Sequence, residues 1–165
     1  MNAPDGPATA AKVLTVSDGV VHGIRRDLSG AALEARMADE GWTIAERAVC
    51  ADGVESVAST IARLADGFHG VIVTTGGTGF GPRDLTPEGT RAVLDREAPG
   101  LAEAMRLVNP LGRLSRGVSG TVGTTLVLNT PGSSNGCVEC LEAVIDVVPH
   151  AVRLLADNAD PHPHA

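Results

Sequence analysis

At 165 residues with 43% hydrophobic content, the chain is long enough to close one substantial core, and a single domain accounts for it. Only 2% of it is aromatic, so Val, Leu, Ile and Ala must fill that core, a composition suited to a sheet covered by Ala-rich helices. A formal net charge of −7 excludes a nucleic-acid surface as the main function, because phosphate backbones select positive patches.

Met1 to Ala11 is polar, rich in Ala and Pro, and lacks the apolar stretch of a signal peptide; it reads as a flexible N-terminal segment of a cytoplasmic protein without a membrane partner. Lys12 to Ser17 is a β-rich run closed by the turn signal Asp18-Gly19. From Ser29 to Glu40 apolar residues recur at helical spacing, and Gly41 stands where a left-handed C-cap belongs. Trp42 to Cys50 alternates in part, as a half-exposed edge strand does. Asp52 and Glu55 form a D-x-x-E capping box before a helix carrying Val54, Val57, Ile61 and Leu64.

Gly70 to Thr75 (GVIVTT) is a continuous β-branched run, the mark of a central strand buried on both faces. A glycine-dense loop follows, and Thr86-Pro87-Glu88 predicts a Thr cap with Pro at the first position of a helix reaching about Glu97. Pro99 starts another helical stretch through Val108, ended by Pro110 and Gly112. Ser115 to Val122 predicts a short edge strand and Thr125 to Asn129 a buried one, broken by Pro131-Gly132. Ser133 or Ser134 caps a last helix with Val138, Leu141, Val144, Ile145 and Val148, interrupted at Pro149. The tail Asp157 to Ala165, with His162 and His164 between prolines, reads as disordered.

Strands alternating with helices predict an α/β fold: a single domain over 12–156, built as a three-layer α/β/α sandwich with a mostly parallel central sheet. Ligands in such sheets bind beyond the carboxyl ends of the strands, here the loops Ser17-Asp18, Ala51-Asp52, Gly76 to Asp84 and Thr130 to Ser134.

Gly76, Gly77, Gly79 and Gly81 let the backbone approach an anion closely, although glycine-rich loops also serve as plain turns. Two familiar phosphate loops are excluded. Pro82 and Arg83 stand where a P-loop needs Lys and Ser or Thr, and the third glycine of a dinucleotide fingerprint is missing. Asp18, Asp52 and Asp84 would repel a polyphosphate unless a divalent cation such as Mg²⁺ intervened; helix capping by Asp52 and a loop role for Asp84 explain the same residues without a metal. An anionic ligand would otherwise draw on backbone N–H groups or on Arg25, Arg26, Arg83, Arg113 and Arg116. The odd cysteine count fits a reducing compartment; the pair Cys137-x-x-Cys140 reads as buried helical thiols, since zinc or redox chemistry would need further ligands or a thioredoxin-like setting.

The fifteen residues Thr74 to Glu88 (TTGGTGFGPRDLTPE) resemble the signature of the molybdopterin-binding domain family, of the molybdopterin adenylyltransferase type. Ser17-Asp18 with Gly23, Asp27, Ser29 and Gly30, then Leu114-Ser115-Arg116, then Asn129 to Ser133, agree in order, so the similarity runs from about Lys12 to Leu155. The resemblance implies adenylylation of molybdopterin by Mg-ATP with release of pyrophosphate, a homotrimer, and the molybdate-insertion protein as a partner. It implies that Asp52 and Asp84 are catalytic and hold Mg²⁺. Ser115 and the loop Thr75, Gly76, Gly77, Thr78, Gly79 would contact the pterin or its phosphate, while Ser17, Asp18, Pro131, Gly132, Ser133 and Ser134 would line the nucleotide side. The chain departs from that pattern at Asn135, where many members carry Lys after the Pro-Gly turn; the alternative reading is therefore a non-catalytic molybdopterin-binding or carrier protein. Asn135 would then serve, with the helix N-terminus, as a neutral anion site.

Overall fold

The computed structural model describes residues 9–156; the expected tail and most of the expected N-terminal segment lie outside them. Six strands form one sheet: β1 (Ala10–Val16), β2 (Thr43–Cys50), β3 (Gly70–Thr75), β4 (Arg96–Glu97), β5 (Ser119–Val122) and β6 (Thr125–Thr130), in the order β2-β1-β3-β6-β5-β4. The pairings β1–β2, β1–β3 and β3–β6 are parallel, whereas β5 runs antiparallel to β6 and β4 antiparallel to β5. The helices are α1 (Asp18–Val21), α2 (Leu28–Asp39), α3 (Val54–Ala65), α4 (Thr86–Arg91), α5 (Pro99–Leu107), α6 (Ser134–Glu142) and α7 (Val148–Ala156), with a 3₁₀ turn over Pro110–Leu114.

The period-2 alternation of buried strands divides the core into two halves. Val13, Val71, Val73, Leu126 and Leu128 point to one face and pack with Leu33 and Met37 of α2, Met105 of α5, Leu141 of α6 and Val152 of α7. Leu14, Ile72 and Val127, each one residue along, point to the other face and pack with Val57, Ile61 and Leu64 of α3. The three-layer sandwich follows. GVIVTT is central as expected, buried at all positions of β3.

Several local expectations change. The first strand begins at Ala10, two residues before the expected domain start. Ser17 and Asp18 open a one-turn helix rather than a plain turn, with Ser17 Oγ accepting from the Val20 N–H at 3.2 Å. Asp52 does not cap α3, whose N-cap is Gly53 without a side-chain bond, because its carboxylate is engaged elsewhere. Nor does Thr86 cap α4: it lies inside the helix, fully buried, and Leu85 is the N-cap. That helix stops at Arg91, and the residues expected to continue it supply the edge strand β4, which pairs with β5. β5 is therefore interior to the sheet and β4 is the edge. The last helix breaks between Glu142 and Val148, so Pro149 sits in the first turn of α7, where its missing N–H costs nothing. Ser133 does cap α6, its Oγ accepting from the Gly136 N–H at 3.1 Å.

Candidate functional site

The chain leaves β1 toward β2 on one side and reaches β3 on the other, so the sheet order reverses between β1 and β3. Diverging loops at such a switch point open a crevice. Gly76 sits at its floor with φ +99, where a Cβ would lie 2.4 Å from the Val16 carbonyl oxygen. Only glycine lets β3 turn away this close to β1.

Side chains distant in sequence hold the glycine loop. Thr86 Oγ1 donates to the Gly76 carbonyl at 2.8 Å, and the Thr86 N–H donates to the Gly77 carbonyl at 3.0 Å. Arg116 spans the loop from the far side. Its Nε donates to the Gly79 carbonyl at 2.8 Å, its Nη2 to the Asp84 carbonyl and its Nη1 to Glu88, while its own N–H donates to the Thr78 carbonyl. This guanidinium holds Glu88 below the usual carboxylate range. Arg116 thus serves as a scaffold for the loop, not as a free cation.

Asp18 and Asp52 are locked to each other. The Asp18 N–H donates to Asp52 Oδ2 at 2.9 Å and the Asp52 N–H donates to Asp18 Oδ1 at 3.1 Å. Arg83 closes the pair, with Nε and Nη2 on the two Asp18 oxygens at 3.0 and 3.1 Å and Nη2 also on the Asp52 carbonyl at 3.0 Å. The guanidinium lowers the Asp18 pKa, chiefly through those hydrogen bonds. Asp84 folds back on its own loop, with Oδ2 accepting from the Gly81 N–H at 2.9 Å. Among the described residues, Asp52 Oδ1 and Asp84 Oδ1 accept no hydrogen bond, which leaves one oxygen on each carboxylate available to an incoming group.

Two cavities open at this end of the sheet. The larger, about 640 Å³, lies between the glycine loop, α5, the 3₁₀ turn and α6, with Met105, Arg106, Leu111, Ser115, Asn129 and Asn135 in its wall. The second, about 440 Å³, lies over the β1–β3 crevice, with Ser17, Val20, Arg25, Arg26 and Asp52 in its wall. Gly77, Asp84, Gly132 and Ser133 line both. The two chambers therefore share one edge, and Asp84 is the charged group on it.

Residues 12–150 match the family model described as "Probable molybdopterin binding domain". This chain belongs to the molybdopterin-binding domain family. It is 34% identical over 153 residues to the molybdopterin adenylyltransferase of Helicobacter pylori strain J99, a match covering 88% of this chain and 87% of that protein. The molybdopterin biosynthesis enzyme MoaB from Thermus thermophilus superposes with a TM-score of 0.84 at 44% identity, covering 89% of this chain and 96% of that one. The molybdenum cofactor synthesis protein cinnamon of Drosophila melanogaster is 47% identical over 92 residues, and the match spans 53% of this chain and 15% of that protein.

In this molybdopterin-binding domain the expected site residues divide between the chambers. Ser17, Asp52, Thr75, Gly76 and Ser134 line the second cavity, and Thr78, Gly79, Ser115 and Pro131 line the first. Both sets implied by resemblance are split: of the loop expected at the pterin, Thr75 and Gly76 line the second cavity and Thr78 and Gly79 the first, and of the residues expected at the nucleotide, Ser17 and Ser134 line the second and Pro131 the first. Thr75 has a fully buried side chain whose hydroxyl donates to the Pro131 carbonyl at 2.8 Å, and Asp18, with both oxygens bonded to Arg83, lines neither cavity. Ser115 Oγ accepts from the Gly117 N–H at 3.2 Å, which orients it at the wall. Asn135 faces the first cavity.

Sequence reasoning missed Asn129 as an organiser. Its buried amide donates to Thr74 Oγ1 at 3.0 Å and Thr90 Oγ1 at 3.1 Å, and its Oδ1 accepts from the Val118 N–H at 3.1 Å, joining β3, α4 and the approach to β5. A polar residue inside the apolar run TLVLN was the signal available, since burial of an amide requires partners. The wall formed by α5 and the 3₁₀ turn had no comparable signal. Cys137 and Cys140 are free and buried, with burial pushing each thiol up to about 11, as expected of helical core thiols. Among the described residues no group of three or more His, Cys, Asp or Glu side chains could hold a metal, and no helix is long and apolar enough to cross a membrane.

Proposed function

We propose that this molybdopterin-binding domain is a molybdopterin adenylyltransferase: the first cavity takes molybdopterin, the second takes ATP, and the reacting phosphates meet at the edge shared by Asp84 and Gly77. The shared edge of the two chambers carries this reading, because a two-substrate transfer needs separate sites whose reactive ends converge. The larger chamber suits a planar heterocycle, with the apolar side chains of Met105, Leu111 and Leu114 beside the hydrogen-bonding groups of Asn135 and Ser115.

In the reaction the terminal phosphate oxygen of molybdopterin attacks the α-phosphorus of ATP. A new P–O bond forms, the bond from the α-phosphorus to the α,β-bridging oxygen breaks, and pyrophosphate leaves with that electron pair. Asp52 and Asp84 fit the cation that accompanies ATP, since each keeps one carboxylate oxygen free while a backbone N–H fixes the other. Asp52 and Asp84 would hold Mg²⁺ there, and the ion would supply charge neutralisation for the phosphates. The protein's own contribution is positional. Thr86 and Arg116 hold the glycine loop, and the Asp18–Asp52–Arg83 lock fixes Asp52. A homotrimer belongs to the same proposal, and light scattering tests it.

Incubation with molybdopterin and Mg-ATP is expected to yield pyrophosphate and adenylylated pterin, and Asp84→Asn to cut turnover by at least about 100-fold while molybdopterin still binds. Tight pterin binding with no product from the wild type would favour the carrier reading. Full activity of Asp84→Asn would remove Asp84 from the reaction.

A further inference from the structure

Five charged side chains line the second cavity: Arg25, Arg26, Asp27, Asp52 and Asp84. Asp27 is fully committed, accepting from Thr15 Oγ1 at 2.8 Å, from the Gly30 N–H at 2.9 Å and from Arg47 Nη2 at 2.7 Å. The neighbouring arginines are committed too, Arg47 to Asp27 and Glu34 and Arg83 to Asp18. Among the described residues, the side chains of Arg25 and Arg26 make no hydrogen bond and no ion pair.

These two guanidinia are displayed on a held turn. The Ile24 and Arg25 N–H groups both donate to the Gly19 carbonyl, at 2.8 and 3.0 Å, and the Leu28 N–H donates to the Arg26 carbonyl at 3.0 Å. Asp27 then caps α2. The stem of Arg25 lies across Gly19, where a Cβ would come within 3.0 Å of its Cδ. Gly132 to Ser134, which line the same cavity, carry no charge. The positive charge of the cavity therefore comes from Arg25 and Arg26 alone, and Asp84 lies at the edge shared with the first cavity.

We propose that Arg25 and Arg26 are the polyphosphate-binding residues of the second cavity, gripping the β- and γ-phosphates of the nucleotide and then the pyrophosphate product. The identity of the nucleotide rests on the adenylyl-transfer reading; the polyphosphate site itself does not. Two guanidinium forks match phosphate oxygens with bidentate geometry. With the β- and γ-phosphates held by Arg25 and Arg26, the α-phosphate is left for the edge shared with the first cavity. Charge developing on the leaving group is met by donors already in place.

Calorimetry with inorganic tripolyphosphate, Mg-ATP and AMP tests the assignment on wild type, Arg25→Ala, Arg26→Ala, the Ala pair and a Gln pair that keeps most of each stem. Each single Ala variant is expected to weaken tripolyphosphate and Mg-ATP about tenfold and the pairs about 100-fold, with AMP changed by less than about threefold. Both residues are exposed, so wild-type melting is expected throughout. Tripolyphosphate binding that is equal in wild type and the Gln pair, or absent from wild type, overturns the assignment. A wild type that binds tripolyphosphate through the two arginines yet forms no pyrophosphate from molybdopterin and Mg-ATP removes the transferase reading and leaves the polyphosphate site standing.

Discussion

Replacing Gly77 by alanine tests whether the glycine loop is held by tertiary packing. Gly77 has φ +68, and a Cβ there would lie 2.2 Å from Thr86 Oγ1, 3.2 Å from Thr86 Cβ and 3.3 Å from Asp52 Oδ1. Left-handed backbone at a non-glycine residue costs about 1–2 kcal/mol. Thr86 is buried and cannot yield without leaving the Gly76 carbonyl short of its donor, a further loss of about 1–3 kcal/mol. Gly77→Ala is therefore expected to destabilise the protein by about 3 kcal/mol, or roughly 6–12 °C in Tm for a chain of this size. Thr86→Ala alone should cost about 1–2 kcal/mol, mainly from the lost bond to Gly76. In the double variant Oγ1 is gone, so the two losses should fall short of their sum by about 1 kcal/mol or more. Urea unfolding of the four proteins measures this cycle. A Gly77→Ala cost below about 0.5 kcal/mol, or strict additivity in the double variant, would refute the packing account. Because the new methyl also presses on Asp52, turnover should drop by about 100-fold under conditions where the variant is folded.

Asn129→Leu should destabilise by about 3 kcal/mol, since it strips partners from Thr74, Thr90 and the Val118 N–H; a cost under about 1 kcal/mol in urea unfolding would mean those groups find other partners. Arg83→Ala should flatten the acid limb of stability. Arg83 lowers the Asp18 pKa in the folded state, so the pair contributes stability that is present above the ordinary carboxylate range and is lost as pH falls through the depressed pKa. Removing Arg83 raises that pKa, and the variant should lose less stability than wild type between about pH 5 and pH 3; parallel acid limbs would contradict this. The thiols of Cys50, Cys137 and Cys140 are buried with raised pKa values, so none should react with a disulfide reagent at pH 8 in the native protein and all three should in denaturant. Fast labelling of Cys137 or Cys140 in the native protein would show that α6 opens.

Short-range pattern along the chain encodes its regular elements. The β-branched run GVIVTT marked the central strand, the spacing of Val57, Ile61 and Leu64 marked α3, and Ser133-Ser134 after Pro131-Gly132 marked the start of α6. Alternation of strand and helix then placed four loops at one end of a parallel sheet, and the structure has them there. The resemblance carried by Thr74 to Glu88 is matched by the family model over 12–150. Tertiary structure alone decided where the polar groups of those loops spend their hydrogen bonds. Asp52 and Thr86 both stood at good local capping positions, yet the carboxylate went to an N–H 34 residues away and the hydroxyl to the Gly76 carbonyl. A helix cap contributes about 1 kcal/mol, whereas a loop carbonyl or N–H left unpaired in a packed site costs as much or more, so the distant demand prevails. The same holds for Arg83 and Arg116, whose charges are consumed by Asp18 and by the loop carbonyls. Arg25 and Arg26, no more conspicuous in the sequence, keep theirs free over the second cavity.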